Sequence, residues 1–322
     1  MRILVAPLNW GLGHASRCIP LIRQWLNEGN QVVLGGDGES LLLLRRHFPE
    51  LPYVELAPLY LRYNNGRSQI GAMMIALPKL FLFSLRDHWR LHILLRKEHF
   101  DRVVSDNRFG LFSRKTECIY MTHQLQIRLP KSIKHLESIA AKVHARVCAK
   151  YNKVWIPDFE DKAQSLSGWL SHPNKKEYGE IEYIGPLSRF AGTIVRTDEK
   201  PIYSVVAVLS GLEPQRSMLE QEIISRYIGQ PQTVLIVEGI INRPATTIRR
   251  KNITLVPYMA DADLARHIVQ AKHVIARSGY STIMDFYTLG VLGKAELIPT
   301  PGQTEQEYLL EYLADRTLQR DL

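Results

Sequence analysis

The sequence predicts an α/β protein of two Rossmann-like, doubly wound parallel-sheet domains that face a cleft. Three observations predict it. Short apolar runs alternate with helical patterns along the chain. The runs are apolar throughout, as strands covered by helices on both faces require. Two glycine turns, one near each end, each lie between a buried strand and a helix. Such alternation builds right-handed crossovers with helices on both sides of a sheet.

The first strand, Arg2-Ile3-Leu4-Val5-Ala6-Pro7-Leu8, runs into Asn9-Trp10-Gly11-Leu12-Gly13-His14 and then a helix through Arg17, Ile22 and Trp25. Further strand runs fall at 31–34, 102–105, 118–121 and 153–156, and later at 204–209, 233–237, 253–256 and 273–275. A break follows Ile184-Gly185-Pro186. Residues 188–200 are polar and weakly patterned and read as a linker, which divides the chain into domains at 1–187 and 201–322. A second turn, Arg277-Ser278-Gly279-Tyr280, opens a helix that carries Asp285. On that helix Tyr280, Ile283, Met284 and Tyr287 share one apolar face, and Asp285 lies off it, outside the core.

The chain has 322 residues, enough for two domains with their own cores, and 45% hydrophobic content is ordinary for a globular protein. A net charge of +9 suits an anionic partner such as a nucleotide or an acidic lipid surface, or else is solvated surface with no single partner. Nucleic acid is not expected, because no aromatic-and-basic motif accompanies the charge. Cys18, Cys118 and Cys148 have neither metal nor disulfide spacing, which fits a reducing cytoplasm. The apolar start runs into a glycine turn and does not read as a signal peptide. The apolar stretch 70–85 is broken by Pro78 and Lys79 and is shorter than the roughly 20 residues that span a bilayer.

Glycines at Gly11 and Gly13 let a ligand approach the backbone, and the helix start offers free N–H groups. His14 stands at the cleft-side strand end, where an imidazole can accept a proton near neutral pH. Asp106, in Ser105-Asp106-Asn107-Arg108, can orient His14, act as base itself or cap a helix. Asn107, His123 and Gln124 follow strands on the same side. In Pro301-Gly302-Gln303-Thr304-Glu305-Gln306-Glu307, Thr304 and Glu307 have capping-box spacing, whereas Gln303 and Gln306 have no such structural duty.

Arg277-Ser278-Gly279, an acid eight residues later and the Pro-Gly-Gln-x-x-Gln segment resemble the donor-site signature of GT-B glycosyltransferases of family 28, the MurG-like enzymes. Gly11-Leu12-Gly13-His14 is similar to their N-terminal glycine loop. Ser210-Gly211-Leu212-Glu213-Pro214-Gln215-Arg216 resembles their second loop, with one glycine only. The resemblance implies a UDP-sugar donor and a glycan or lipid-linked acceptor of the cell envelope. Asp285 would hold the ribose. Ser210, Gly211, Arg216, Arg277, Ser278, Gly279 and Tyr280 would surround the diphosphate, and Gln303 and Gln306 would contact the sugar. Gly11, Gly13, Asn107, His123 and Gln124 would form the acceptor side, with His14 and Asp106 as the catalytic pair. Such enzymes usually continue into a helix that crosses back to the first domain, so the early end suggests a truncated second domain.

The expected reaction moves a hexose or N-acetylhexosamine to an acceptor hydroxyl with inversion, and needs no metal or other cofactor. Two alternatives compete. The Gly-x-Gly-His-x-x-Arg-Cys opening, Gly11 to Cys18, is also similar to the nucleotide-sugar hydrolase of pseudaminic acid synthesis. The basic charge alone would also fit a non-enzymatic anion-binding protein.

A helix through 80–95 carries Lys79, Arg86, Arg90 and Lys97 on one face and Phe81, Leu82, Leu85, Trp89 and Ile93 beside them. Such a face can lie on an anionic membrane, peripheral on its cytoplasmic side. In the other arrangement its apolar side packs on the sheet and its cations face water.

Overall fold

The computed structural model describes residues 1–59, 70–173, 178–195 and 201–320, and the side chains of all of these except 70–77 and 316–320. The first sheet holds β1 (Arg2–Pro7), β2 (Gln31–Gly36), β3 (Tyr53–Glu55), β4 (Arg102–Asp106), β5 (Glu117–Met121), β6 (Lys153–Ile156) and β7 (Ile181–Tyr183). Their order is β3-β2-β1-β4-β5-β6-β7, and every pairing is parallel. The second sheet holds β8 (Val205–Val208), β9 (Val234–Val237), β10 (Ile248–Arg250), β11 (Ile253–Val256), β12 (His273–Arg277) and β13 (Ala295–Ile298). Its order is β10-β11-β9-β8-β12-β13, with only the β10–β11 pair antiparallel.

The helices are α1 (Gly13–Asn27), α2 (Gly38–His47), α3 (Ile70–Lys97), α4 (Glu137–Cys148), α5 (Gln215–Tyr227), α6 (Asp261–Gln270), α7 (Tyr280–Thr288) and α8 (Thr304–Arg320). This is the α/β architecture that the strand–helix alternation predicts.

Topology fixes where a ligand can sit. In the first sheet the chain winds outward from β1 through β2 to β3, then crosses to β4 on the other side of β1. In the second it winds from β8 to β9 and β11, then crosses to β12. Open α/β sheets bind ligands at such switch points, outside the carboxyl ends of the strands. Register places Pro7 opposite Asp106 and Ala276 opposite Val208. The turns after β1 and β4, and those after β8 and β12, therefore meet at the two crevices.

Several sequence expectations need correction. The stretch 188–195 is not a loose linker: Ser188 and Phe190 are buried, and Phe190 belongs to the apolar core of the second sheet. Residues 196–200, the rest of that linker, lie outside the described residues. Tyr280, Ile283 and Met284 are buried, but Tyr287 is 43% exposed. Their cluster includes Ala15, Ile19, Ile22 and Trp25 of α1, so the stripe on α7 seals against the first domain. Asp285 is buried despite lying off that stripe, because the 188–190 segment covers the second side of α7.

The expected missing crossover helix has a counterpart. α8 itself reaches back to the first domain: the Trp169 N–H donates to Tyr308 Oη at 2.8 Å, and Tyr312 Oη donates to the Ser165 carbonyl at 3.0 Å. A Cβ on Gly168 would fall 2.6 Å from the Tyr312 ring, so the fit requires glycine there.

α3 turns the other way from the packed arrangement. Phe83, Asp87, Leu91 and Leu94 are buried, at a spacing of three to four residues. Phe81, Leu82, Leu85 and Trp89 are 65%, 54%, 51% and 66% exposed, beside exposed Lys79, Arg86, Arg90 and Lys97. Ile93 is partly buried. Asp87 can lie inside because Arg108, also fully buried, donates to both its oxygens at 2.8 and 2.9 Å and to Asp37 at 2.7 Å.

Candidate active site

The glycine turns touch. A Cβ on Gly13 would lie 2.7 Å from Ser281 Oγ at the start of α7, and one on Gly11 would lie 3.9 Å from Gly211 Cα. Gly11 at φ +74° and Gly211 at φ +97° adopt backbone that side chains disfavour. The turns after β1, β8 and β12 thus meet at one cleft floor.

His14 lies in the first turn of α1, 16% exposed, with Nδ1 3.0 Å from Asp106 Oδ1. Asp106 ends β4 and is fully buried. Arg17, one turn after His14, donates Nε to Asp106 Oδ2 at 2.6 Å and Nη2 to Oδ1. Its Nη2 also lies 3.0 Å from His14 Nδ1. Burial alone would push the Asp106 carboxyl up, but Arg17 and His14 outweigh it and hold it at about 2. Asp106 is therefore an ionised orienting group and too weak a base to take a hydroxyl proton itself. When His14 donates Nδ1–H to it, the lone pair sits on Nε2.

His123, after β5, is buried, with Nδ1 3.2 Å from Arg17 Nη1 and Nε2 2.8 Å from Glu305 Oε1 of α8. Its ring stacks on Tyr280 at 4.2 Å and 6°. Burial lowers its pKa, and Glu305 opposes that only in part. His123 is a strut between the domains. Gln124 sits beside it, partly buried, with its N–H donating to Thr122 Oγ1. Asn107 turns away: at φ +56° its Oδ1 accepts from Tyr120 Oη at 3.0 Å, which ties it to the core.

On the donor side, Asp285 accepts from Ser188 Oγ at 2.6 Å and lies 3.5 Å from Arg189 Nε. Burial drives its pKa up to about 6 against the pull of Arg189 and Ser188. A carboxylate has about four acceptor positions, and Ser188 and the Arg189 backbone take two of them. The side chain of Arg277 points back into the second domain and donates to the carbonyls of Pro299 (3.0 Å) and Gln215 (2.8 Å). Arg216 pairs with Glu213 within its own turn. Tyr280 Oη donates to the Pro157 carbonyl at 2.7 Å. These three side chains hold the fold; only Arg216, near the surface, could swing to a diphosphate. Ser210, Gly211, Ser278 and Gly279 stay at the mouths of the two turns. Ser278 Oγ donates to the Gln306 carbonyl at 2.9 Å.

Gln306 has a structural duty after all: its Oε1 accepts from the Thr300 N–H at 2.8 Å, and its Nε2 donates to Gln303 Oε1. Thr304 does not make the capping box. Its hydroxyl donates to the Arg128 carbonyl at 2.7 Å, across the domain junction.

The sequence reading missed Arg17 and Glu305. Arg17 had a legible signal, since its i,i+3 spacing from His14 puts both on one helix face. Glu305 had none. An Asp-x-Asp spacing also exists, at Asp261-Ala262-Asp263 in the first turn of α6. Its carboxylates face basic side chains: Asp261 lies 3.5 Å from Arg189 and 3.7 Å from Arg23 and from the His47 ring, whose pKa burial lowers, and Asp263 is 2.9 Å from Arg266. Among the described residues no group of three or more His, Cys, Asp or Glu side chains could hold a metal ion.

No protein-family model matches the chain. An uncharacterised glycosyltransferase of Methanosarcina acetivorans is 25% identical over 329 residues, covering 95% of this chain and 82% of that one. Among solved structures, UGT89C1 of Arabidopsis thaliana, complexed with UDP-L-rhamnose, superposes with a TM-score of 0.60 at 13% identity, covering 97% of this chain and 83% of that one. MurG of Acinetobacter baumannii superposes with a TM-score of 0.53 at 13% identity, covering 98% and 83%. The two parallel-dominated sheets and these likenesses define the GT-B fold. In sequence the chain is similar to that archaeal glycosyltransferase, and in fold to these GT-B structures.

Proposed function

We propose that this glycosyltransferase moves a hexose or N-acetylhexosamine from a UDP-sugar to an acceptor hydroxyl, with inversion at the anomeric carbon. The observation that carries the reading is the His14–Asp106 pair, 3.0 Å apart on the floor where the turns of both domains meet. His14 Nε2 takes the acceptor proton while the acceptor oxygen bonds to the anomeric carbon. The bond from that carbon to the diphosphate oxygen breaks, and UDP leaves with the electron pair. Asp106 fixes the tautomer and stabilises the imidazolium as it forms. The backbone N–H groups at the starts of α5 and α7, with Arg216, receive the growing negative charge of UDP. Gln306 positions Gln303, which faces the sugar, and Asp285 shares its carboxylate with the ribose. No resident metal is assigned a role; Asp261 and Asp263 lie within ion-pair distance of Arg189, Arg23 and Arg266.

The acceptor is lipid-linked in this reading. Four exposed large apolar side chains on α3 sit beside Lys79, Arg86, Arg90 and Lys97, a face suited to an anionic membrane. Among the described residues no helix is long and apolar enough to cross a membrane.

The test is a UDP-sugar panel, first for binding by thermal shift and then for UDP release with and without a polyprenyl-phosphate-linked sugar acceptor. Acceptor-dependent release from one donor supports transfer. Equal release into water alone would convert the reading to hydrolysis. His14→Ala should retain donor binding and lose turnover by about 10²–10⁴-fold, the usual worth of a general base. Normal turnover in that variant would remove His14 from the mechanism.

A further inference from the structure

Away from the cleft, the first domain carries a basic cavity of about 540 Å³. His88 and His92 of α3 form one wall. Phe112, Arg114 and Lys115, from the loop between β4 and β5, form the second, and Lys150, just past α4, closes the third. Among the described residues no carboxylate lines it, and none forms an ion pair with Arg114, Lys115 or Lys150. Like charges gathered without counterions repel one another, so such a cluster favours an anion among them.

The walls are built rather than accidental. The loop lies hard against α3: a Cβ on Gly110 would fall 2.0 Å from the Ser84 carbonyl oxygen. The Gly110 carbonyl lies 3.2 Å from His88 Nδ1, which donates to it and leaves His88 Nε2 facing His92 Nε2 at 3.1 Å. The Phe112 ring packs on His88 at 4.3 Å and carries the Lys150 ammonium 4.8 Å from its centroid. A hydrogen bond at that separation holds one proton between the two facing nitrogens. An anion in the cavity would accept from Arg114, Lys115 and Lys150 beside the rings. A divalent metal would meet the same two nitrogens but also three repelling cations.

We propose that this cavity is a phosphate-binding site, which takes the phosphoryl group of a lipid headgroup or of a soluble phosphorylated ligand. It stands independently of the transferase reading, because it shares no residue with the cleft.

The probes are pyrophosphate and vesicles of phosphatidylcholine with or without phosphatidic acid. The readouts are the ring-proton NMR signals of His88 and His92, assigned by His→Gln variants, and vesicle co-sedimentation. Pyrophosphate should move both histidine signals, and Lys115→Gln with Lys150→Gln should weaken that response at least tenfold while thermal stability holds. If phosphatidic acid vesicles bind and pyrophosphate competes with them through the same lysines, the source is a headgroup. If only pyrophosphate binds, the source is soluble. Histidine signals that stay still with both probes, or an undiminished response in the double variant, would overturn the site.

Discussion

Asp285 gives the sharpest prediction, because its burial makes folding depend on pH in an unusual direction. Most native carboxylates are stabilised as anions, so stability drops in acid. Here burial raises the pKa from an ordinary 3.8 to about 6. The folded chain then holds the proton more tightly than the unfolded chain. This contribution is largest below the unfolded value, is lost as pH rises toward 6 and is flat above. Linkage puts the full cost of the ionised group at about 3 kcal/mol, of which about 1.6 kcal/mol is already present at pH 5. Asp285→Asn removes the titration but keeps an oxygen to accept the Ser188 hydroxyl. Urea unfolding of both proteins should therefore show the variant gaining on the wild type by about 1.4 kcal/mol between pH 5 and pH 8. Parallel stability curves across that range would refute the argument that burial outweighs Arg189 at this carboxyl. The same variant tests the donor role. Loss of the charged acceptor should weaken UDP by about 1–3 kcal/mol in calorimetry, and unchanged affinity would free Asp285 from the ribose.

Other perturbations follow from the same contacts. Arg17→Met leaves the Asp106 anion buried without its partner, so unfolding free energy should fall by about 3–5 kcal/mol; a loss under about 1 kcal/mol would contradict that pairing. Arg86→Glu with Arg90→Glu should weaken co-sedimentation with anionic vesicles and leave thermal stability unchanged, whereas equal recovery with neutral and anionic vesicles would leave α3 as scaffold. Turnover should survive an excess of chelator, and its abolition would show that a metal takes part. His14→Ala, with donor binding kept, separates the proton step from the rest of the site.

The fold was legible where strands are long and apolar. Each predicted strand forms, because runs such as 31–34 and 102–105 are buried on both faces by helices. The short edge strands β3, β7, β10 and β13 were not. Tyr53–Glu55 and Ile248–Arg250 are half or fully exposed, so no apolar run marks them. The pairing of His14 with Asp106 was readable because both stand at strand ends across one switch point. What sequence could not give is which polar groups lie inside. Asp87, Arg108, Arg17 and Asp285 are buried only because a partner from a distant segment meets each one. Periodicity assigns faces from apolarity, so it left Asp285 outside and could not choose between the two faces of α3.

Those buried pairs also constrain how the cleft can work. His14 and Asp106, the proposed base and its orienting acid, belong wholly to the first sheet's half of the chain, while the turns proposed to hold the donor belong to the second. Nothing in the His14–Asp106 pair fixes where an anomeric carbon would sit. That distance is set by α7 and α8, which cross the junction through Tyr280 to Pro157, Thr304 to Arg128, Tyr308 to Trp169 and Glu305 to His123. Three of these four are uncharged hydrogen bonds to backbone groups, which hold whatever the protonation state. The fourth ends on His123, whose other nitrogen touches Arg17, and Arg17 holds Asp106. The junction and the His14–Asp106 pair therefore share one chain of contacts. Anything that loosens α8 also loosens the group that orients His14.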